Sequence, residues 1–170
     1  SFFATAQTEK DDWIVGGNLQ FNTSKANSVF QFSPQVGYFI LNNFAIGGRF
    51  ILDHNKLGDD RTTSVGAGPF ARFYFLKAKF RPFVAADMDF SSVKRKVGSI
   101  PSSTETAFNY FVGGGGAFFI NENVALETVM GYRYTKVENK QSAGGFNFRI
   151  GFQVYINRYQ ADEVKSRLSR

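Results

Sequence analysis

Eight charged residues occupy alternate positions within segments that are otherwise mostly uncharged, and this spacing favours paired charges over a catalytic centre. Asp87 and Asp89, for example, are separated by one residue, so both side chains share one face of an extended chain. Guanidinium and carboxylate groups on an enclosed face must pair, because an uncompensated buried charge is strongly destabilising. The predicted charge network consists of Arg49, Arg72, Arg133 and Arg149 with Asp53, Asp87, Asp89 and Glu127.

Catalytic and metal-binding chemistry has little support in the residue inventory. The chain has no cysteine and one histidine, which excludes thiolate chemistry and His-cluster metal sites. His54 follows Asp53 but has no suitably placed serine on its own segment, so we predict no enzymatic activity. Asp59 and Asp60 lack the ligand spacing of a calcium loop. We therefore expect neither a cofactor nor a bound metal.

Two runs of like residues have simpler interpretations than ligand binding. Gly113 to Gly116 lacks the Lys-Ser/Thr of a phosphate loop, so we attribute it to close packing around bulky neighbours such as Phe111 or Phe70. Lys94-Arg95-Lys96 is a tight basic cluster in a chain of formal net charge +6. Because the other basic residues are scattered, nucleic acid is not a predicted partner. We predict a solvated loop or one that contacts anionic lipid head groups.

The elements that position these residues are predicted from the alternation of apolar and polar side chains. Eight segments alternate with the period of two that extended strands require. An aromatic content of 17%, with 21 Phe, favours strands and disfavours disorder. The predicted strands cover residues 12–22, 29–39, 44–53, 64–75, 81–91, 105–120, 124–135 and 145–156.

The polarity of the two strand faces predicts where each face lies. One face of every segment is apolar and carries no charged residue, whereas the opposite face carries the charge network. A soluble sandwich would bury the apolar face, but it would not normally line that face with so much Phe. A closed barrel in a membrane fits this pattern, because its apolar face contacts lipid and its polar face lines the interior. Closure of the barrel also pairs every backbone donor and acceptor. The sequence therefore predicts an all-β, eight-stranded, antiparallel up-and-down transmembrane β-barrel.

Connection lengths predict the orientation of this barrel. Short turns alternate with longer connections, and outer-membrane barrels have short periplasmic turns and longer extracellular loops. An even number of strands then places both termini in the periplasm. The short turns are residues 41–43, 76–79 and 121–123, and the longer connections are residues 23–28, 54–63, 94–104 and 136–142.

Two turns and the last strand carry a family resemblance. The turns are Leu41-Asn42-Asn43-Phe44-Ala45-Ile46-Gly47 and Ile120-Asn121-Glu122-Asn123-Val124-Ala125-Leu126, and the strand is Phe146-Asn147-Phe148-Arg149-Ile150-Gly151-Phe152. With these features the chain resembles the small eight-stranded outer-membrane β-barrel proteins of Gram-negative bacteria. This group contains OmpX and the barrel domain of OmpA, and the style is often seen in Bacteroidota. The resemblance implies a bacterial outer-membrane location, contact with lipopolysaccharide and phospholipid, and recognition of the last strand by the assembly machinery.

Three regions are predicted along the chain. Residues 1–11 form an N-terminal segment, in which the first six residues read either as a signal-peptide remnant or as a disordered tail. Residues 12–156 form the barrel. Residues 157–170 form a polar periplasmic tail, either frayed or a short helix supported by a Glu163–Arg167 pair.

Three functions fit a barrel of this size. The interior of an eight-stranded barrel is just wide enough for its own side chains, which favours a structural or interaction scaffold with a filled lumen. A second hypothesis is an accessory subunit of a larger outer-membrane transport or assembly complex, engaged through the barrel wall or the C-terminal tail. A third is a small passive channel, which would have to break at least one buried ion pair.

Overall fold

The computed structural model describes residues 8–24, 27–57, 60–76, 78–96, 103–138, 141–157, 162–163 and 166–168. Within these residues, eight antiparallel strands form one closed barrel, in which each strand pairs with its neighbours in sequence and the last pairs with the first. The predicted fold is thereby confirmed. The strands are β1 (Trp13–Ser24), β2 (Asn27–Leu41), β3 (Phe44–Leu57), β4 (Asp60–Tyr74), β5 (Phe80–Lys96), β6 (Ser103–Phe119), β7 (Val124–Val137) and β8 (Ala143–Ile156).

The barrel wall is apolar outside and mostly polar inside. On β8, Phe146, Phe148 and Phe152 are exposed on the outer surface, whereas Asn147 and Arg149 between them are buried. This alternation is the inverse of a soluble sheet protein and matches the polarity that lipid around the barrel requires. No helix in the described part of the chain is long and apolar enough to cross a membrane.

The strands extend further than predicted at one end of the barrel. β3 continues to Leu57 and β4 begins at Asp60, so the predicted long connection at 54–63 is mostly paired strand. The basic cluster Lys94-Arg95-Lys96 likewise lies within β5, paired with β4 and β6, and not in a loop. The apolar alternation stops before these ends, but cross-strand hydrogen bonding does not depend on apolar side chains.

We call this end the extended rim and the opposite end the short-turn rim. At the short-turn rim the chain passes from β2 to β3, from β4 to β5 and from β6 to β7. Two connections at the extended rim are also short, since only residues 25–26 and 58–59 separate the strands there. The main difference between the two ends is therefore how far the strands continue beyond the apolar part of the outer wall. Loop length distinguishes the two ends less.

Two alternate glycines of the β6 run, Gly113 and Gly115, lie beneath aromatic rings inside the barrel. A Cβ placed on Gly113 would lie 2.6 Å from Cζ of Phe111, and one on Gly115 would lie 3.0 Å from Cζ of Phe83. The predicted packing against Phe111 is therefore present. Phe70, the other predicted neighbour, instead lies over glycines of β2 and β3.

The segment that precedes β1 closes the short-turn rim. Thr8 is fully buried, and its hydroxyl donates a hydrogen bond to the side chain of Asn43 at 2.8 Å. The backbone N–H of Asn43 donates to the carbonyl of Thr8 at 2.7 Å, and that of Asp11 donates to the carbonyl of Phe39 at 2.9 Å. Residues 8–11 are thus hydrogen-bonded to the end of β2 and to the turn that follows it, and the boundary between the N-terminal segment and the barrel at residue 12 stays a prediction. The predicted signal remnant to residue 6 lies outside the described residues.

The C-terminal tail contains helical residues at 162–163 and 166–168. Within it, Arg167 donates from Nη2 to Oε1 of Glu163 at 2.8 Å, and both side chains are well exposed. This is the i,i+4 pair that the sequence predicted. An exposed pair of this kind contributes only a few tenths of a kcal/mol, so it does little more than bias the tail toward helix.

Candidate functional site

The charged side chains of the lumen form two clusters at different heights. The cluster nearer the extended rim centres on Asp87, which accepts hydrogen bonds from two arginines on other strands. Arg49 on β3 donates to both of its oxygens, and Arg149 on β8 donates from Nη2 to Oδ2 at 2.9 Å. The three side chains are at most 5% exposed. The guanidinium of Arg149 also lies 3.8 Å from the ring centroid of Phe111, an arrangement that favours cation–π attraction.

Asp89 extends this cluster toward the extended rim. It accepts a hydrogen bond from Nη2 of Arg133 at 3.0 Å and from Nδ2 of Asn109 at 2.8 Å, and Arg49 lies 3.7 Å away. The hydroxyl of Thr135 donates to the amide oxygen of Asn109 at 2.6 Å. We call Arg49, Asp87, Asp89, Arg133 and Arg149 the upper network.

A second cluster lies nearer the short-turn rim around Glu127, which is fully buried. Arg72 donates to Oε2 of Glu127 at 2.6 Å, and the phenol of Tyr155 donates to Oε1 at 2.6 Å. The phenol oxygens of Tyr74 and Tyr155 are 3.0 Å apart. We call Arg72, Glu127, Tyr74 and Tyr155 the lower network. Since β4, β7 and β8 supply its members, it ties together strands that are not all neighbours.

Arg81 is a lumen cation that does not belong to the predicted charge network. Its side chain is 1% exposed, and it donates from Nη1 to the hydroxyl of Thr8 at 2.6 Å and from Nε to the carbonyl of Ala78 at 3.1 Å. Arg81 lies on the same face of β5 as Asp87, so the alternation of residues along the strand was enough to predict that it faces the lumen. It was missed because Arg81 is the first residue of the predicted segment.

The lumen between the upper network and the extended rim contains a cavity of about 440 Å³. Its lining combines hydroxyl and amide side chains with apolar residues and glycines, together with the charged Asp53, Asp89 and Arg133. Asp53, the remaining carboxylate of the predicted set, thus lies at the wall of this cavity. Below it, buried side chains of the two networks occupy the barrel interior. The geometry can hold water or a small polar solute above the networks.

Most of the other sequence candidates have side chains that lie outside the described positions. His54 lies in β3, but its side chain is outside the described positions, as is residue Asp59 altogether. Within the described chain, no group of three or more His, Asp or Glu side chains is arranged to hold a metal ion. Lys94 is exposed at the extended rim, and the backbones of Arg95 and Lys96 continue β5 beyond it.

The closed eight-stranded barrel with an apolar outer wall agrees with a comparison against protein families. The model of the outer membrane protein beta-barrel domain matches residues 1–157. The chain belongs to this outer-membrane β-barrel family. It is therefore a barrel of the bacterial outer membrane, of a family type that is not enzymatic, and the resemblance to OmpX and OmpA barrels is confirmed.

Solved outer-membrane barrels share the fold at low sequence identity. Neisserial surface protein A has a TM-score of 0.63 and 18% identity, and the match covers 84% of this chain and 95% of that one. The N-terminal barrel domain of Pseudomonas aeruginosa OprF has a TM-score of 0.61 and 11% identity, with 86% and 98% covered. Ail of Yersinia pestis has a TM-score of 0.59 and 14% identity, and the match covers 87% of this chain and 99% of that one. No curated protein matched the sequence significantly.

Proposed function

We propose that this outer-membrane barrel is a structural and interaction scaffold with a side-chain-filled lumen and no catalytic activity. The observation that carries the proposal is the pair of buried charge networks, which connect opposite sides of the lumen at two heights. An ion that crossed the barrel would have to separate at least one buried pair. Breaking such a pair costs about 3–5 kcal/mol when one partner is left uncompensated, so the networks act as a barrier.

The proposal includes an orientation in which the extended rim faces outward and both termini are periplasmic. It is supported by the strands that continue beyond the apolar band at the extended rim and by the turns that close the other rim. The extended hairpins are then the surface available to partners. Ail, a barrel of the same fold, has been crystallised with the heparin analogue sucrose octasulfate, which supports a role in surface interaction for such barrels.

A small passive channel is the second candidate, because the cavity above the upper network already opens part of the lumen. Single-channel recording in planar bilayers separates the two functions. We expect correctly folded protein, judged by its heat-modifiable migration on gels, to give no conductance. Conductance that is altered by Arg72→Ala or Glu127→Ala would establish the channel and overturn the scaffold proposal.

A further inference from the structure

The first and last strands of the barrel are paired over only part of their length. The register of β1 with β8 ends, on the side of the extended rim, at Leu19 opposite Ile150. β1 nevertheless continues to Ser24 and β8 begins at Ala143, so both strands extend beyond their last paired position. On its other edge, β8 stays in register with β7 as far as Ala143. We call residues 143–149 of β8, together with the facing end of β1, the open seam.

The cavity above the upper network reaches the outer wall at the open seam. Ala143, Gly145 and Asn147 line the cavity from the inner face of β8. Gly144 and Phe146 of the outer face line it as well, and Phe146 is 76% exposed. Among the described residues of the lining, every other strand contributes only its inner face. The cavity therefore opens sideways through the wall beside β8.

The open seam lies at the depth of tyrosines that border the apolar part of the outer wall. Gly144 is paired with Tyr134, whose ring stacks against that of Tyr110 with the centroids 5.0 Å apart. Phe146 is paired with Tyr132, which is exposed on the outer wall. Tyrosine collects where hydrocarbon meets the polar head groups. The sideways opening therefore faces lipid near the membrane interface, and strand edges at membrane depth are tolerated where they line a polar cavity.

Asn147 gives the cavity a buried acceptor that the described residues leave unused. Asn147 is 5% exposed, and its Oδ1 has no hydrogen-bond partner among the described residues. Buried polar atoms are rarely left in this state, because the loss of water is costly without a new hydrogen bond. A hydroxyl group that entered the cavity from outside the chain would supply the missing donor.

The charged groups of the cavity disfavour an anionic ligand. Asp53 and Asp89 line it together with Arg133, and Arg133 already donates a hydrogen bond to Asp89 at 3.0 Å. A further negative charge beside these carboxylates is repelled, and the repulsion is stronger in the lumen than in water. Hydroxyl and amide groups such as those of Ser91 and Asn109 also line the cavity, and groups of this kind both donate and accept hydrogen bonds. An uncharged, hydroxylated ligand matches this lining.

We propose that the open seam admits a single-chain amphiphile of the monoacylglycerol type, whose uncharged head group enters the cavity and donates a hydrogen bond to Asn147. A glycerol-sized head group fits a cavity of about 440 Å³. The acyl chain stays in the lipid along the outer face of β8, where Phe146, Phe148 and Phe152 are exposed. A ligand from the lipid is favoured over a soluble sugar because the cavity opens on the lipid-facing wall. The inference rests on the membrane location and not on the scaffold role or on which rim faces outward.

The test is photolabelling of the full chain in phosphatidylcholine vesicles. Two probes carry a diazirine at the same carbon of the same chain: a monoacylglycerol, and an alkylsulfonate whose head group is permanently anionic. Mass spectrometry quantifies the label on the peptide that contains residues 143–149 and on β4, which lies on the opposite side of the barrel.

Two test variants and one control variant accompany the wild type. Gly145→Leu fills the cavity at the open seam, and Asn147→Leu removes the amide at nearly constant volume. Gly48→Leu is the matched control, because a Cβ on either glycine has nothing within 4 Å, but Gly48 alternates with Ile46 and Phe50, which are exposed on the outer wall of β3. Heat-modifiable migration verifies folding, and if one test variant does not fold, the other carries the test.

We expect the monoacylglycerol to label β8 in preference to β4, and an excess of unlabelled monoacylglycerol to remove this preference. The alkylsulfonate should label both strands alike. Asn147→Leu should weaken the labelling of β8 by roughly two- to tenfold, the change in affinity that corresponds to one neutral hydrogen bond. Gly145→Leu should abolish the preference, and Gly48→Leu should behave like wild type.

Equal labelling of the two strands by the monoacylglycerol would indicate ordinary lipid contact and would overturn the proposal. A wild-type preference in Gly145→Leu, or the same preference for β8 with the alkylsulfonate, would also overturn it, because the cavity or the uncharged head group would then have no role. Single-channel conductance would overturn the scaffold function and leave these results unchanged.

Discussion

The buried charges of the upper and lower networks are compensated by residues that are distant in sequence. Glu127 on β7 meets Arg72 at a separation of 55 residues and Tyr155 at a separation of 28. In an enclosed interior, the free energy lost when these groups leave water offsets much of the attraction between them. The net free energy of exchanging water for these partners is therefore close to zero. The pairs therefore specify how the strands face one another across the lumen more than they add to total stability.

Removing the carboxylate of Glu127 tests this view at one residue. Glu127→Ala leaves the guanidinium of Arg72 buried without its anion, so we expect a loss of about 3–5 kcal/mol in the free energy of unfolding. Urea unfolding in detergent micelles, followed by the fluorescence of Trp13, measures it. Trp13 is the one tryptophan and packs at the short-turn rim against Tyr38. Glu122→Gln, in an exposed turn, should change the value by no more than about 0.5 kcal/mol.

A Glu127→Ala variant as stable as Glu122→Gln would mean that another group compensates the charge of Arg72, and that the lower network does not order the barrel.

The alternation of residues along each strand was sufficient to place the seven charged residues of the two networks inside, because closure turns one of the two strand faces inward. It did not give the pairing of Arg49 and Arg149 with one carboxylate, Asp87. That choice depends on which strands face each other across the lumen, and this is set by the stagger of the closed barrel.

At the scale of elements, aromatic rings fill the lumen where neighbouring strands carry glycine. Phe70 of β4 lies over Gly37 of β2 and Gly47 of β3, two residues that are paired across the strands. A side chain at either position would occupy the space of the ring. Alternation predicted these strands correctly, but it underestimated their length, since residues such as Thr63 and Lys94 are paired without being part of an apolar face.

Adjacent glycines of β3 provide a matched pair of substitutions. A Cβ on Gly47 would lie 2.2 Å from the carbonyl oxygen of Val36 and 2.7 Å from the ring of Phe70, whereas one on Gly48 has nothing within 4 Å. We expect Gly47→Ala to lower the free energy of unfolding by about 1–3 kcal/mol through overpacking. Gly48→Ala should be neutral or slightly stabilising. The same urea titration compares the two, and equal effects would contradict the packing described here.

At the scale of the whole molecule, the two faces of the barrel wall meet different surroundings: the outer face meets lipid, and the inner face encloses a polar lumen. Closure satisfies the backbone of every strand, so the outer wall is free to be apolar toward lipid. The charges that a polar interior requires are then confined to a narrow lumen, where they must pair. This arrangement also explains why the sequence predicted the architecture well and the activity poorly. Closure of the barrel dictates the alternation of polar and apolar residues along each strand. Recognition of a partner depends instead on residues at the rims, which follow no such periodic pattern.

The depth of the wall in the membrane gives a prediction for the molecule as a whole. Met130 is exposed at the middle of β7, and Thr106 is exposed near the extended-rim end of β6. A cation on the lipid face of a barrel costs about 2–4 kcal/mol at the midplane and about 0–1 kcal/mol near the interface. Met130→Arg should therefore fold less stably in phospholipid vesicles than Thr106→Arg by about 1–4 kcal/mol. Equal stabilities of the two variants would place Met130 outside the hydrocarbon and would contradict the membrane band defined by the outer wall.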